Sequence, residues 1–248
     1  MKFMEYTTEL VDAVNEWDGK VEGPSEKNRK VNRLRVYKNS FVENFLATSH
    51  VLTPGLVFGP FILYGLYESF HGTSAQIMTK LAIFALGIFG FTIIEYVIHR
   101  WGFHYKPGKE FNSKVILFLL HGYHHQFPND KTRLVAPPLM AWPIAFAIGL
   151  GYWAMSGPEY FWTLFGGTLA GYLFYDWSHY YTHHARNPKF FYGKMIRKAH
   201  MIHHYKLYHL NMGICTPLWD HVLGTSAWTD DLVKEAMEMA LELEKVPE

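Results

Sequence analysis

Apolar residues along this chain gather into four long runs, Val51 to Glu68, Ile77 to Ile98, Leu134 to Met155 and Tyr160 to Trp177. Each approaches the roughly 20 residues a helix needs to cross a hydrocarbon core of about 30 Å. The runs predict an all-α integral membrane protein with four transmembrane helices. Pro54, Gly55, Gly59 and Pro60 interrupt the first run, and Pro137, Pro138 and Pro143 the third. Membrane helices tolerate such residues where neighbours satisfy the freed backbone groups.

The polar stretches complete a single domain, residues 1–248, in three parts: a peripheral segment (1–50), the spans with an intervening histidine-rich loop (51–178), and a helical cap (179–248). Residues 1–50 predict one or two helices lying along the membrane. Their basic run of Lys27, Arg29, Lys30, Arg33, Arg35 and Lys38 either meets anionic headgroups or only sets topology. Asp231 to Glu248 predict an amphipathic surface helix with Leu232, Ala236, Met239 and Leu243 on one side, packed on the cap.

Charge orients the spans. Eight Lys or Arg precede the first run, six lie between His99 and Arg133, and eight follow His179. The tight connections His71 to Ala75 and Ser156 to Glu159 hold none, and Lys80 is the remaining cation. The positive-inside rule then places both termini and the stretch after the second run in the cytoplasm. A single cysteine, Cys215, excludes a disulfide framework and a cysteine-ligated zinc site. The first forty residues hold no apolar signal-peptide core. Without a glycine-rich phosphate loop or dinucleotide fingerprint, phosphoryl transfer and nicotinamide binding by this chain are not expected, nor is a nucleic-acid partner.

Chemistry enters with histidine. Twelve of the fifteen fall into four groups directly after apolar runs: His99/His104, His121/His124/His125, His179/His183/His184 and His200/His203/His204/His209. Residues three or four apart share a helix face, so the triplets at 121 and 200 can each converge, as can His179 and His183. His99 and His104, five apart, fall on rather different faces of an α-helix, and Gly102 between them predicts a bend or an end. A shift of 79 positions carries His104, His121, His124 and His125 onto His183, His200, His203 and His204, and His99 to within one residue of His179. Two similar half-sites of a pseudo-symmetric cage follow. Ten imidazoles are too many for one ion, and two metals with about five ligands each is the natural partition.

All-nitrogen sites with open positions suit iron that must meet dioxygen, whereas zinc takes the same ligands without a redox couple. Glu95 lies one turn before His99 and Asp176 three residues before His179. Both are placed to accept hydrogen bonds from ligand imidazoles and fix their tautomers, or to reach headgroup water.

The segments EYVIHRWGFH, HGYHHQFPNDKTRLVAPP, YDWSHYYTHH and HMIHHYKLYHLNMGICTPLWDHVLGT resemble those of the fatty acid hydroxylase superfamily of membrane di-iron enzymes, over roughly residues 40 to 225. The stretch FPNDKTRLVAPP is similar to the branch that hydroxylates carbon 2 of fatty acyl chains, including those of sphingolipids, rather than to sterol desaturases. The resemblance implies as metal ligands His99, His104, His121, His124, His125, His179, His183, His200, His203 and His204. It leaves His184 and His209 as neighbouring or structural imidazoles.

It further implies two irons, replaceable by zinc in purified protein, and no haem. The implied reaction is O2-dependent insertion of a hydroxyl with external electrons. Choice among near-identical methylenes must then come from positioning, with Asp130, Arg133, Tyr175 and Asn211 as candidate anchors of the acyl carbonyl. Fifty polar residues are too few for the amino-terminal cytochrome b5 domain of some members, so a separate cytochrome b5 or ferredoxin-type donor is expected. The setting would be the endoplasmic reticulum of a eukaryote or the inner membrane of a bacterium. Sterol desaturases, sterol oxidases and carotenoid hydroxylases of the same superfamily remain alternatives, as does a non-enzymatic membrane metal- or haem-binding protein.

Overall fold

A computed structural model describes residues 4–19, 23–184 and 188–246, and regular structure among them is helical, with no strand. Helix α1 is Thr8–Glu16, opened by Thr7, whose hydroxyl accepts the Leu10 N–H. A short α2, Ser40–Val42, runs on as a π-helical turn, Glu43–Ala47. Helix α3 is Thr53–Ser69. Helix α4 is Ser74–Val97, started by a capping box in which Thr73 and Gln76 satisfy each other's backbone N–H groups. It continues as a π-helical turn, Ile98–Phe103.

Helix α5, Phe111–Leu117, reaches α6, Tyr123–Gln126, through a third π-helical turn, Phe118–Gly122. Helix α7 is Pro138–His184, broken at Gly157. Helices α8, Phe191–Tyr205, α9, Leu218–Val222, and α10, Asp230–Leu243, complete the chain.

Among the described residues, two helices are long and apolar enough to cross a membrane, Ser74–Phe103 and Pro138–His184. The second run of the sequence is thus one long helix, while the third and fourth form the two arms of α7. Gly157 turns the backbone between the arms at φ 67°, ψ 177°, a conformation open to glycine, and Pro158 follows it. The first run is the 17-residue α3. Only 22% of the apolar window of α4 and 6% of that of α7 is buried within the protein. A soluble core helix would be mostly covered. Here Leu56, Leu63, Leu86, Phe146 and Met155 face outward, as expected of surfaces that meet lipid.

The second arm of α7 packs against α3 and α4 through small residues. A Cβ on Gly65 would lie 2.8 Å from the Cα of Gly166, so the two backbones touch where no side chain fits. The first arm packs beside them through Ala141 and Ala145, against Phe58, Phe165 and Leu169.

The N-terminal segment is more firmly built in than a peripheral strip. Leu10, Val14 and Trp17 share a buried cluster with Val36, Tyr37, Val115, Phe118, Tyr123 and Phe127, so α1 forms part of the cap around α5 and α6. At the other end, α10 lays Ala236 and Ala240 on Met201 and Ile202 of α8, as its amphipathic pattern predicts.

Candidate metal centre

Ten imidazoles converge where the long helices enter the cap. Five ligand atoms, from His99, His104, His121, His125 and His203, lie within 4.8 Å of one another, as do five from His124, His179, His183, His200 and His204. These are the ten residues singled out by spacing and resemblance. His184 and His209 belong to neither group: His184 lies against Tyr180, and His209 is exposed beside Tyr208.

The local backbone explains the convergence. His99 and His104 share a side because the chain is π-helical between them: His104 N–H donates to His99 O at 3.2 Å, an i→i+5 bond that returns residues five apart to one face. This corrects the expected bend or helix end at Gly102, which lies inside that turn. His121 also sits in a π turn, with His124 and His125 following in α6. His200, His203 and His204 share one side of α8, and His179 and His183 occupy the last turns of α7.

Ring orientation is set from outside the groups. His99 Nδ1–H donates to Met212 O at 2.6 Å and His203 Nδ1–H to Leu210 O at 2.8 Å. Each Nε2 is thereby left as a bare lone pair. Yet Nε2 of His99 lies 2.9 Å from Nε2 of His121 and 3.3 Å from that of His104. In the second group, Nε2 atoms of His179 and His124 are 2.9 Å apart, and those of His183 and His200 2.8 Å. With metal–nitrogen bonds of about 2.1 Å, adjacent ligand atoms stand about 3.0 Å apart around an octahedral ion and about 3.4 Å around a tetrahedral one. The spacing therefore fits metal coordination, whereas lone pairs facing each other alone would repel. Buried Nε2 atoms of His203 and His204 without hydrogen-bond partners agree with this.

Burial, followed by neighbouring imidazoles, pushes His104, His121, His124, His125, His200 and His204 well below the ordinary histidine range. His203 is lowered likewise, against the bond to Leu210. At neutral pH these rings are uncharged, the form in which imidazole binds metal.

An apolar channel runs from the groups into the helical bundle. Phe58, Ala141, Ile144, Ala145, Phe165 and Leu169 line it, together with His121, His124 and His179. One of these imidazoles comes from the first group and two from the second, so the channel borders both groups.

Glu95, Tyr175, Asp176 and Arg133 also border the channel. Tyr175 stacks on His179, ring centres 6.0 Å apart. Asp176 accepts from the Tyr172 hydroxyl at 3.2 Å. Glu95 is placed differently from the expected contact with an imidazole: it accepts the N–H groups of Ile214, at 2.5 Å, and Cys215, at 3.4 Å.

The Nη atoms of Arg133 are committed to Glu43, Asp130, the Tyr123 hydroxyl and Leu34 O. Asp130 and Asn211 do not border the channel. Asp130 accepts from Tyr123 and Thr132, and Asn211 pairs with Ala227 through both amide atoms. Sequence reasoning missed the Leu210 and Met212 carbonyls, which carry no side-chain signal. It also missed Asp220 and the Arg197–Glu244 pair, although Asp220 stands in the plainly legible segment LWDHVLGT.

Comparison with known proteins agrees with this geometry. The sequence model described as fatty acid hydroxylase matches residues 84–225. The chain is 34% identical over 198 residues to the ceramide very long chain fatty acid hydroxylase of Saccharomyces cerevisiae, covering 75% of this chain and 48% of that protein. It is 40% identical over 153 residues to a dihydroceramide fatty acyl 2-hydroxylase of Arabidopsis thaliana, 62% of this chain and 64% of that one. Human fatty acid 2-hydroxylase is 32% identical over 213 residues, 77% and 56% respectively. The chain thus spans about half the length of the yeast and human relatives. The solved structure of full-length scs7p, in which only the hydroxylase domain is visible, superposes with a TM-score of 0.75 at 27% identity, over 91% of this chain and 81% of that one.

Proposed function

Since this chain belongs to the fatty acid hydroxylase family, we propose that it is a membrane di-iron 2-hydroxylase of fatty acyl chains, acting on an acyl chain of ceramide type. The observation that carries the reading is the apolar channel lined by His121, His124 and His179, which belong to two five-imidazole groups. Relatives named as a ceramide very long chain fatty acid hydroxylase, a dihydroceramide fatty acyl 2-hydroxylase and a fatty acid 2-hydroxylase support the choice of substrate. We assign α3, α4 and the two arms of α7 as the four spans, with both termini and the histidine groups on the cytoplasmic side, as loop charge favours.

The residues divide the work as follows. His99, His104, His121, His125 and His203 would hold one iron, and His124, His179, His183, His200 and His204 the other. When bound, the pair supplies activation of dioxygen, which zinc in the same donors cannot. The protein's own contribution is placement. Phe58, Ala141, Ile144, Ala145, Phe165 and Leu169 exclude water and hold the tail extended, so that one methylene meets the seam between the groups. Tyr175, stacked on His179, is assigned to hold the acyl carbonyl, which makes carbon 2 the methylene presented. Arg133 and Asp130 keep the wall rigid rather than grip substrate. Electrons come from a separate carrier of cytochrome b5 or ferredoxin type.

Lipid extracts of cells expressing the chain test this reading. Accumulation of 2-hydroxy acyl chains is expected, and its loss in a His124→Ala variant. Unchanged acyl chains with an altered sterol or carotenoid profile would replace the reading with a sibling activity.

A further inference from the structure

Two backbone carbonyls that orient cage imidazoles, Leu210 O for His203 and Met212 O for His99, come from one loop, and both imidazoles belong to the first group. The loop lies between α8 and α9, outside regular structure, and its backbone is tied down in part by Asn211 N–H donating to Thr225 O at 2.8 Å. Two buried carboxylates hold the rest. From α4, Glu95 takes the N–H groups of Ile214 and Cys215. From α9, Asp220 takes Met212 N–H at 2.7 Å on one oxygen and Gly213 N–H at 2.8 Å on the other. The first of these oxygens also accepts the Thr225 hydroxyl at 2.7 Å, and that hydroxyl is 2.7 Å from the Tyr96 hydroxyl of α4.

The fit at this point is close. Asp220 is 1% exposed. A Cβ on Gly213 would lie 2.9 Å from its Oδ2, so the carboxylate sits directly against the loop backbone. Next to Met212, Asn211 is held at φ 51° by its amide pairing with Ala227. The second group is braced otherwise. Nδ1 of His200 and of His204 has no hydrogen-bond partner, while Arg197 of α8 donates to the carbonyls of Thr182 and His183 at the end of α7 and pairs with Glu244 at 2.9 Å.

We infer that Asp220 is a positioning residue for the first histidine group alone: through Met212 and the adjoining loop it aims His99 and His203, and it contacts nothing that orients the second group. The inference rests on reading the two groups as metal sites. Groups that orient metal-binding imidazoles typically change metal affinity by about 10–100-fold when lost, so this device makes the two sites separable in affinity.

The test uses the purified full chain loaded with cobalt(II), with metal content and visible spectrum followed as chelator concentration is raised. In Asp220→Asn, an amide replaces one of the two acceptor oxygens. One ion should leave at about 10–100-fold lower chelator concentration than in the parent chain, while the other is released as before. Adding His99→Ala to Asp220→Asn should weaken no further ion. Release of both ions together, or no change in either, overturns the inference. Should Asp220→Asn fail to fold, Thr225→Val removes one hydroxyl and keeps the carboxylate; the same one-sided loss is expected, and an equal or absent effect at both sites overturns it. A parent chain that takes up no cobalt would sink the metal reading and this inference together. Two-ion binding with symmetric loss would sink the inference alone.

Discussion

His124 and His203 occupy equivalent places in two histidine series 79 residues apart, and each lies in the five-membered group built mainly by the other series. The two half-sites of the sequence repeat are therefore interlocked, each lending one imidazole to its counterpart. Binding at one group would draw α6 towards α8, and binding at the other would do the same in reverse.

Exchange makes a specific pattern of metal loss. His203→Ala should release the ion held with His99, although His203 belongs to the later series. In a double variant with His99→Ala, the metal content should fall no further than in either single variant. His203→Ala combined with His183→Ala should lose both ions. His71→Ala, at the far turn beside Tyr67, should keep both. Metal content per chain measured on matched preparations decides between this pattern and one in which each repeat binds its own ion.

Acid should destabilise the metal-free protein. Burial and neighbouring imidazoles lower His104, His121, His124, His125, His200, His203 and His204 below the ordinary range, while unfolded histidine titrates near about 6.5. Below that pH the unfolded chain binds more protons than the folded one, so stability rises with pH through this window. It is retained above about 6.5 and lost progressively below it. Each such imidazole adds at most about 1.4 kcal/mol per pH unit to the slope. Thermal unfolding of the stripped protein should shift steeply downward between about pH 6.5 and 5, whereas a midpoint that does not move would show the rings to be charged or solvated.

Much of the site was legible because imidazole spacing on helices is local. The histidine triplets, the pairing of His179 with His183 and the amphipathic face of α10 follow from positions within a few turns, the 79-residue offset follows from comparing the series, and the choice of ten ligands out of twelve follows from the family resemblance. What escaped is non-local or depends on a helix other than α. His99 and His104 share a side only because residues 98–103 wind as a π helix, which the 3.6-residue period assigns to different faces. The exchange of His124 and His203 depends on how α6 meets α8 in space. Glu95 pointed to the metal by sequence proximity to His99, but its carboxylate is taken by backbone far along the chain, at Ile214 and Cys215.

The brace on the second group should be costly to cut. Arg197 and Glu244 form an ion pair with side chains 2% and 15% exposed. Glu244→Ala leaves a buried guanidinium with one fewer partner, which costs about 3 kcal/mol or more when buried pairs are broken. Glu244→Gln, retaining an acceptor, should lose less. Chemical denaturation of the metal-free chains gives the ranking, and equal stability of all three would mean that the pair is spent on solvent.

The channel predicts a ruler for chain length. Ala145 lines it and packs among Phe58, Phe165 and Leu169. Ala145→Phe places a ring in the space assigned to the tail and should shift hydroxylated products towards shorter acyl chains with little change in metal content. Analysis of products from a mixed-length acyl pool reads this directly; an unchanged length profile would put the tail elsewhere.

Most direct is product analysis with the purified chain, a ceramide-type acyl donor deuterated at carbon 2, a reconstituted electron supply and isotopically heavy dioxygen. The account predicts a product that has lost one deuterium from carbon 2 and gained one heavy oxygen there, with no such product from His124→Ala. Retention of both deuterium atoms, with oxidation at another carbon or a new double bond, would contradict it.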